Sequence, residues 1–466
     1  MAALMASCAA QPVAIAPQDL PATFDAPDEP AGSLPTQAWY RAFSSQELNA
    51  LVDSASSNNL DVAVASARVA QADARARQAG AALLPSLDAV GNASYLAGRS
   101  SQGSGHESDW SASLSASYEI DFWGKNRATR ESALHLAGAS RADRATVALT
   151  TLAGVADGYF AVLALRERLA LAESNQQAAQ QVLDVIDTRL AAGAAAPVEQ
   201  ATQRSVYDAA QIARLGLQQM ESDARTALAL LLGREPEKFV VQGLPLDSVT
   251  EPVIATGLPS ELLTRRPDIV RAEENLRAGH ADVIVARAAM FPSLTLTGSA
   301  GVQNPALQAA VLTIGGTGPT VSLGANLLQP IFDHGRLRAQ RDEVEAKERE
   351  LLAAYRAAIL AALVDVENAL SAIRHLEDAR QFQLDNVAQT TKAYEGAMLR
   401  YQSGVGDFLL VLEAQRSLFT ARDQFVQYKL GRLQALVSLS KALGGGWSQR
   451  PESDAPTATL HRTTNP

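Results

Sequence analysis

The sequence predicts a mainly helical protein with a small β part, in which two similar units follow one another along the chain. Three observations predict this. Short motifs recur in the same order about 210 residues apart, and two stretches of about 70 residues contain no proline. Segments in which apolar and polar residues alternate precede these stretches, which indicates strands with one apolar face.

The composition is that of an ordered chain with closely packed helices. Of the 466 residues, 47% are hydrophobic and 19% are charged, so a sizeable core can be buried. Aromatic residues make up only 5%, which favours small side chains between helices. The net charge of −10 argues against a nucleic-acid-binding surface. No uninterrupted apolar stretch of about 18 residues occurs, so no transmembrane helix is expected.

The amino terminus contains the single cysteine, Cys8, which excludes a disulfide framework and a cysteine-rich metal site. A short apolar run ending in small residues precedes it, as in a bacterial lipoprotein signal. Residues 1–7 form only a partial signal, because they lack a basic leader. Cys8 is therefore either an acylated residue or an incidental one. Residues 8–35 are rich in proline, alanine and aspartate, as expected of an extended tether.

A self-comparison indicates tandem duplication. Three motif pairs occur in the same order at offsets of 207, 211 and 211: Ala81–Leu87 with Ala288–Leu294, Arg189–Gly193 with Arg400–Gly404, and Ala227–Gly233 with the segment that ends at Gly444. We predict a first structural repeat over 36–233 and a second over 266–446. A Pro-rich linker over 234–265 joins them, and a disordered tail follows over 447–466.

Each repeat is expected to begin with a helix and to continue with two strands. The helices cover Leu60–Leu84 and Asp268–Met290, and each stops next to a proline. In Trp110–Ile120, apolar residues alternate with serines and one glutamate, which predicts a strand with one apolar face. Ser293–Val302 and Thr320–Leu327 repeat this alternation in the second unit.

Two long helical rods are expected after the strands. Trp123–Ala192 and His334–Ser403 contain no proline, and each would form a helix about 105 Å long. A helix of that length belongs to a coiled coil or a helical barrel. Gly193 and Gly404 end the rods. Shorter return helices follow over Pro197–Leu232 and Phe408–Leu443.

The strands of the second unit lie in an interval without charge. No charged residue occurs in the 45 residues from Ala288 to Phe332, which favours strands next to lipid. Barrel strands need only about 9–11 residues each. Trp110, Tyr118, Phe122 and Trp123 lie near the ends of one predicted strand, as an aromatic membrane girdle would. The alternative is a small antiparallel sheet packed under a helix.

Four strands cannot close a barrel with a lumen, and open strand edges are not tolerated in lipid. Membrane insertion would therefore require several copies of the chain. A trimer would supply twelve strands, and its rods would supply a matching helical tube.

Motifs along most of the chain resemble those of TolC-type outer-membrane factors. The resemblance extends from about Ser33 to Gly444 and is strongest to the lipoprotein channels of RND efflux pumps, the OprM and NodT-like proteins. The matching segments are Trp39–Phe43, Asn59–Asp61, Ala82–Leu87, Tyr118–Gly124, Arg265–Glu273, Gln329–Phe332 and Gly404–Arg416. No single motif is decisive, but so many in order are specific.

The resemblance implies the outer-membrane efflux protein fold, a homotrimer with a 12-stranded β-barrel in the outer membrane on a long periplasmic α-helical barrel. It implies a passive conduit in a tripartite pump that exports small, drug-like molecules. The implied partners are a periplasmic adaptor (a membrane fusion protein) and an inner-membrane RND-type transporter. It also implies that Cys8 is acylated, since that subgroup has such a cysteine.

By position, the resemblance assigns four residues to a gate at the periplasmic tip. Leu409 matches a constricting leucine, Glu413 an acidic ring, Arg416 a basic residue behind it, and Tyr401 a locking network. The spacing itself places Leu409, Glu413 and Arg416 on one helix face. An ordinary exposed ion pair is the alternative for Glu413 and Arg416.

The resemblance further implies that Gly193, Gly404 and Gly406 form the tips that receive the adaptor. No catalytic motif is recognisable. The six histidines have no metal-ligand spacing, and the Ser-x-x-Lys pattern at Ser438 lacks its companion motifs. We therefore predict no enzymatic activity, no metal and no cofactor.

Two other functions stay open at this point. A type I secretion channel or a metal-efflux channel would have the same fold. A periplasm-spanning coiled coil without transport activity is an alternative of another class. The uncharged interval and the alternating strand at Trp110 favour a channel, whereas neither specifies the exported compound.

Overall fold

A computed structural model describes residues 34–100, 103–243, 245–303 and 320–447, together with Pro21, Thr23 and Phe24. Cys8, the partial signal over 1–7, nearly all of the tether over 8–35 and the tail after Trp447 lie outside the described residues. The expectations about them stay predictions.

The helices and strands follow the predicted order. The helices are α1 Gln46–Asn58, α2 Leu60–Ala81, α3 Lys125–Ala191, α4 Pro197–Leu231, α5 Leu262–Arg265, α6 Pro267–Ala288, α7 Arg336–Gln402 and α8 Phe408–Ala442. The strands are β1 Ser86–Ser100, β2 Gly103–Ile120, β3 Ser293–Gln303 and β4 Thr320–Leu328. The rods α3 and α7 have 67 residues each, and the return helices α4 and α8 have 35 each. The predicted rods and return helices are therefore present, with ends within a few residues of those expected.

The four longest helices end in the same way. The glycines that follow them have positive φ angles of 72°, 64°, 79° and 88°, in the order Gly193, Gly233, Gly404 and Gly444. After α3, the N–H of Gly193 bonds to the carbonyl of Leu190 at 3.0 Å, and that of Ala194 bonds to Arg189 at 2.8 Å. This is the Schellman motif, which favours glycine because a Cβ disfavours the left-handed conformation.

The chain divides into two compact units, which are described separately. One comprises Ser66–Ala142 and Arg271–Ala358 and contains the sheet. The other comprises the described residues up to Ala65, then Asp143–Val270, and the described residues from Ile359 onward.

The sheet of the first unit has one polar and one apolar face. Its antiparallel order is β1-β2-β3-β4. The register places Ser115 opposite Ser299, and Ser299 opposite Ser322. On the other face, Val321 and Leu323 are 72% and 88% exposed. Apolar residues packed under a helix would be buried, so the alternative of a sheet covered by a helix is wrong for these strands.

β2 begins at Gly103, seven residues before the predicted strand, so Trp110 lies inside the strand and not at its end. Residues 103–109 do not alternate between apolar and polar, and antiparallel pairing with β1 extends the strand through them. At the other end, Trp123 follows the strand, stacks on Phe291 at 4.6 Å between ring centroids, and donates to the carbonyl of Pro292 at 2.8 Å.

In the second unit, the linker between the repeats is fixed by charged side chains. Glu47 of α1 accepts hydrogen bonds from the backbone N–H groups of Gln242 and Gly243 at 2.6 and 2.9 Å. Lys429 of α8 pairs with Asp247 at 2.9 Å. The linker is therefore held against helices from both repeats.

One helix of the described part, α3, contains an 18-residue window that is long and apolar enough to cross a membrane, and half of that window is buried. The expectation of no such helix is wrong by this measure. A core helix has the same composition, and α3 places Val155, Tyr159 and Phe160 in the core of the second unit.

We predict that Gly444→Ala destabilises the protein far more than Gly193→Ala. Both positions are left-handed, which costs an alanine about 1–2 kcal/mol. A Cβ at Gly193 would meet no atom within 4 Å, whereas at Gly444 it would lie 2.1 Å from the carbonyl oxygen of Arg265. Thermal unfolding should show a loss of about 1 kcal/mol for Gly193→Ala and at least about 3 kcal/mol for Gly444→Ala, since overpacking adds to the strain. Equal losses would contradict this account.

Candidate functional site at the rod tips

Two five-residue turns, 192–196 and 403–407, join the rods to the return helices within the second unit. The predicted tip residues Gly193 and Gly404 lie in these turns and take the left-handed conformation. Asp407 then caps α8, since its carboxylate accepts a hydrogen bond from the N–H of Leu409 at 3.1 Å. Each rod therefore reverses direction over a defined, short turn.

The third predicted tip residue, Gly406, is required for a different reason. A Cβ at this position would lie 2.8 Å from the backbone nitrogen of Tyr401 and 2.9 Å from the carbonyl carbon of Arg400. Both are backbone atoms, which cannot move aside as a flexible side chain can. The turn after α7 is therefore packed tightly against the last turn of its own helix.

An apolar core lies directly behind the turns. Its buried members come from α3, α7 and α8: Val182, Ile186, Ala397, Tyr401, Phe408, Val411, Leu412 and Ala414. Because successive helix positions point in different directions, the residues between these core members of α8 face away from the core.

The predicted gate residues Leu409, Glu413 and Arg416 lie on this outward side of α8. Leu409 is 65% exposed, and Glu413 and Arg416 are exposed as well. In the described part of the chain no ion pair joins Glu413 to Arg416, so the alternative of an ordinary i, i+3 pair is not formed. The three side chains are free to meet other copies of the chain.

The fourth predicted gate residue, Tyr401, is buried, with 2% of its surface exposed. Its hydroxyl donates to Glu199 of α4 at 2.8 Å. The guanidinium carbon of Arg189 lies 4.5 Å from its ring centroid, and Arg189 donates to the Tyr401 carbonyl at 2.6 Å. Burial, and then the bond to Glu199, raises the pKa of Tyr401 to about 12. The phenol is therefore neutral and acts as a donor.

This arrangement exists at only one of the two equivalent places in the described chain. At the offset of 211, the counterpart of Tyr401 is Leu190, and the counterpart of Glu199 is Leu410. Neither leucine can form a hydrogen bond through its side chain. The duplication therefore built two similar tips, and the Tyr401–Glu199 bond joins α7 of one tip to α4 of the other without a counterpart at the repeated position.

Two buried glutamines were not expected from the sequence. Gln203 of α4 and Gln415 of α8 are fully buried. Nε2 of Gln203 donates to the Ala179 carbonyl at 2.9 Å and lies 3.5 Å from Oε1 of Gln415. Oε1 of Gln203 and Nε2 of Gln415 have no hydrogen-bond partner among the described residues. One sequence signal could have indicated that Gln415 is buried. It follows Val411 by four residues and so lies on the apolar side of α8.

The described residues contain no group of three or more His, Cys, Asp or Glu side chains that could hold a metal ion. The tip instead combines rigid turns, a buried tyrosine contact and an exposed stripe of one leucine and two opposite charges.

The fold and the tip define the class of protein: a subunit of a membrane channel, with an exposed apolar sheet face and two rods that end in rigid turns. The model of the outer membrane efflux protein family matches residues 51–234 and again residues 258–445. This chain belongs to that family.

Relatives of known name are similar over nearly their whole length. The pyoverdine export outer membrane protein OpmQ of Pseudomonas aeruginosa is 46% identical over 418 residues, which is 88% of this chain and 87% of the relative. The toluene efflux pump outer membrane protein TtgC of Pseudomonas putida is 32% identical over 419 residues, with 89% and 86% covered.

Solved structures of outer-membrane channels have the same fold as this chain. The outer-membrane channel OprN superposes with a TM-score of 0.86 at 27% identity and covers 94% of this chain and 100% of its own. The open state of the MtrE outer membrane channel of Neisseria gonorrhoeae gives a TM-score of 0.81 at 29% identity, with 92% and 96% covered.

These findings confirm the predicted family, fold class and type of function. The chain is an outer-membrane efflux channel that extends into the periplasm. Members of the family are trimeric channels of tripartite efflux pumps, and they are not enzymes. The alternative of a coiled coil without transport activity is wrong.

We predict that Tyr401→Phe weakens the tip, that Glu199→Gln weakens it less because the amide oxygen still accepts from the hydroxyl, and that the double variant loses little more than Tyr401→Phe alone. Tyr401→Phe removes one hydrogen bond to a charged group, worth about 1.5–3 kcal/mol. Hydrogen exchange of the amides in turn 403–407 measures the loss. Because the pKa of Tyr401 is raised from 10.0 to about 12, the contact should persist below pH 10 and be lost as the pH rises towards 12.

Tyr207→Phe is the matched control for this cycle. Tyr207 lies on α4, as Glu199 does, and its hydroxyl accepts from Gln176 of α3 at 3.3 Å but does not contact Glu199. Additive losses from Tyr401→Phe and Glu199→Gln would contradict a direct contact.

Proposed function

We propose that three copies of this chain form the conduit of a tripartite pump, together with a periplasmic adaptor and an RND-type inner-membrane transporter, and that the pump exports a siderophore-like polar compound. The observation that supports this cargo is the order of identities. Two proteins named as pyoverdine exporters are 46% and 43% identical. Relatives named for toluene or antibiotic efflux are 32–34% identical.

The polar face of the sheet is consistent with a polar cargo. In a closed barrel the apolar face meets lipid, so the polar face lines the lumen. On the paired strands β2 and β3, that face presents Ser113, Ser115, Ser117, Thr297 and Ser299. Hydroxyl groups offer hydrogen bonds without a fixed charge. The same face also carries the carboxylates of Asp88, opposite Ser115, and Glu119, opposite Thr295. A wall rich in hydroxyl groups with few charges suits a soluble compound that is rich in donors and acceptors.

Export of apolar, drug-like compounds is the second candidate, and the similarity to TtgC favours it. The energy and much of the selection would come from the inner-membrane transporter, so the same conduit could serve both cargoes. The two candidates differ in what accumulates when the channel is missing.

We predict that this chain restores siderophore secretion in a host that makes a pyoverdine-type siderophore and lacks its own export channel. Fluorescence of the medium and of the periplasmic extract measures secreted and retained siderophore. The drug-export candidate predicts restored tolerance to toluene and antibiotics instead. Restored tolerance with continued periplasmic retention of siderophore would overturn the proposed cargo.

Leu409, Glu413 and Arg416 form the constriction in this proposal, and the Tyr401–Glu199 contact, which joins α7 to α4, is part of the network that locks the tip. Three copies of Glu413 around a narrow opening repel one another, which opposes dry closure and favours cations. The turns at Gly193, Gly404 and Gly406 would present the surface that the adaptor contacts.

We predict that Leu409→Ala with Glu413→Ala raises the conductance of purified trimers in planar bilayers several-fold. The change removes both the bulk and the charge of the proposed constriction. Leu399→Ala with Glu395→Ala is the matched control, because these residues are exposed and four apart on the neighbouring helix α7. Unchanged conductance of the Leu409 and Glu413 variant, or an equal rise in the control, would reject this gate.

Membrane attachment in this proposal uses Tyr118, Phe122 and Trp123 at the end of β2, and Trp110 within the strand, as the aromatic girdle, and Cys8 as the acylated residue. We predict that the wild-type protein incorporates a palmitate analogue and that Cys8→Ser does not. An unlabelled wild-type protein would show that Cys8 is incidental.

A further inference from the structure

Both rods begin with the same pattern of positive charge. Three basic residues open α3 and three open α7, and each pair is separated by 211 positions: Lys125 and Arg336, Arg127 and Arg338, Arg130 and Arg341. No acidic residue lies in the first turn of either rod. We call these six residues the basic collar.

The basic collar does not serve the stability of the rods. A helix start has a partial positive charge, so basic side chains there are unfavourable. The first free N–H groups already have partners. Asp121 accepts from Asn126 and Arg127 at 3.0 Å each, and Asp333 accepts from Leu337 at 3.0 Å. The side chains of the basic collar, and not the helix amides, are therefore what this surface offers to a ligand.

The sheet brings the two halves of the basic collar to one end of the first unit. Ile120, the last residue of β2, pairs with Leu294, and Leu328, the last residue of β4, pairs with Ser293. The strand ends that lead into α3 and α7 therefore lie at the same end of the sheet.

An exposed apolar side chain precedes each group of basic residues, with two or three residues between them. Phe122 is 65% exposed before α3, and Ile331 and Phe332 are 89% and 78% exposed before α7. The order from apolar strand, through exposed aromatic residue, to basic residue is that of a protein passing from the hydrocarbon layer into the headgroup layer. The basic collar therefore lies at the depth of the lipid phosphates.

Only half of the basic collar has carboxylate partners. Lys125 pairs with Glu119 at 2.6 Å, Arg127 with Asp121 at 3.2 Å, and Arg341 with Asp342 at 2.5 Å. Three exposed arginines form no ion pair in the described part of the chain: Arg130, Arg336 and Arg338. The guanidinium groups of Arg130, Arg336 and Arg338 are therefore available to an anionic ligand, although Arg336 also attracts Asp333 electrostatically.

We propose that the basic collar binds the phosphate groups of anionic phospholipids, such as phosphatidylglycerol, in the periplasmic leaflet of the outer membrane. Guanidinium groups bind phosphate through paired hydrogen bonds, and each cation near an anionic surface contributes about fivefold in affinity. The inference rests on the outer-membrane location of the family and not on the proposed cargo or gate.

The test uses detergent-solubilised, full-length trimers and mixed micelles that contain either phosphatidylglycerol or phosphatidylcholine at low salt. We expect phosphatidylglycerol to raise the thermal midpoint more than phosphatidylcholine does. Arg336→Gln with Arg338→Gln should remove at least half of this difference. Arg349→Gln with Arg356→Gln, two exposed arginines further along α7, should leave it unchanged.

Equal midpoints in the two lipids, or a difference that survives in Arg336→Gln with Arg338→Gln, would overturn the proposal. Arg336→Lys with Arg338→Lys must retain most of the effect, because it keeps the charge. Should the glutamine variant not fold, the wild-type protein decides, since added salt must abolish the difference between the two lipids. Inorganic phosphate at the same concentration must not reproduce the rise, and a rise with it would indicate a site for the free ion and not for lipid.

Discussion

The open edges of the four-stranded sheet constrain the rest of the structure. In the described part of the chain β1 and β4 each pair with one strand only, so one side of each has unpaired backbone N–H and C=O groups. In lipid such groups cost several kcal/mol each, and in water an exposed apolar sheet with free edges aggregates. Joining several copies edge to edge into a closed ring removes both problems. Assembly is therefore a condition of membrane insertion, and it also brings several copies of the Leu409 stripe around one axis.

The duplication explains the regularity of the molecule and also where the regularity stops. The rods, their glycine ends and their basic beginnings recur at one offset. The Tyr401–Glu199 contact does not recur, since leucines occupy the corresponding positions. Because Tyr401 ends one rod and Glu199 begins the return helix of the other repeat, this bond ties the two tips to each other. In the described chain it has no counterpart at the repeated position.

Most of the fold could be predicted from the sequence, because periodicity and proline or glycine punctuation are local signals. The predicted ends of the two rods differ from the observed ends by only one or two residues. The beginning of β2 was missed because residues 103–109 have no alternation, and the strand exists there through pairing with β1. The exposed stripe at Leu409, Glu413 and Arg416 follows from helix spacing, whereas the partners of Tyr401 and Gln203 come from distant segments that no local pattern specifies. The apolar window of α3 was not predicted from the sequence, because its alanine, glycine and valine residues form no uninterrupted apolar run. Their mean hydropathy over 18 residues is nevertheless high.

Equal element lengths in the two repeats have a mechanical consequence. A helix advances 1.5 Å and turns about 100° for each residue. Deleting one residue from α3 alone would draw its tip back by that step and rotate every later side chain away from its partners on α7 and α8. A compensating deletion in α7 would be needed to restore the match. The two 67-residue rods must therefore keep the same length. A change in length is compatible with this packing only when it is made in both repeats together.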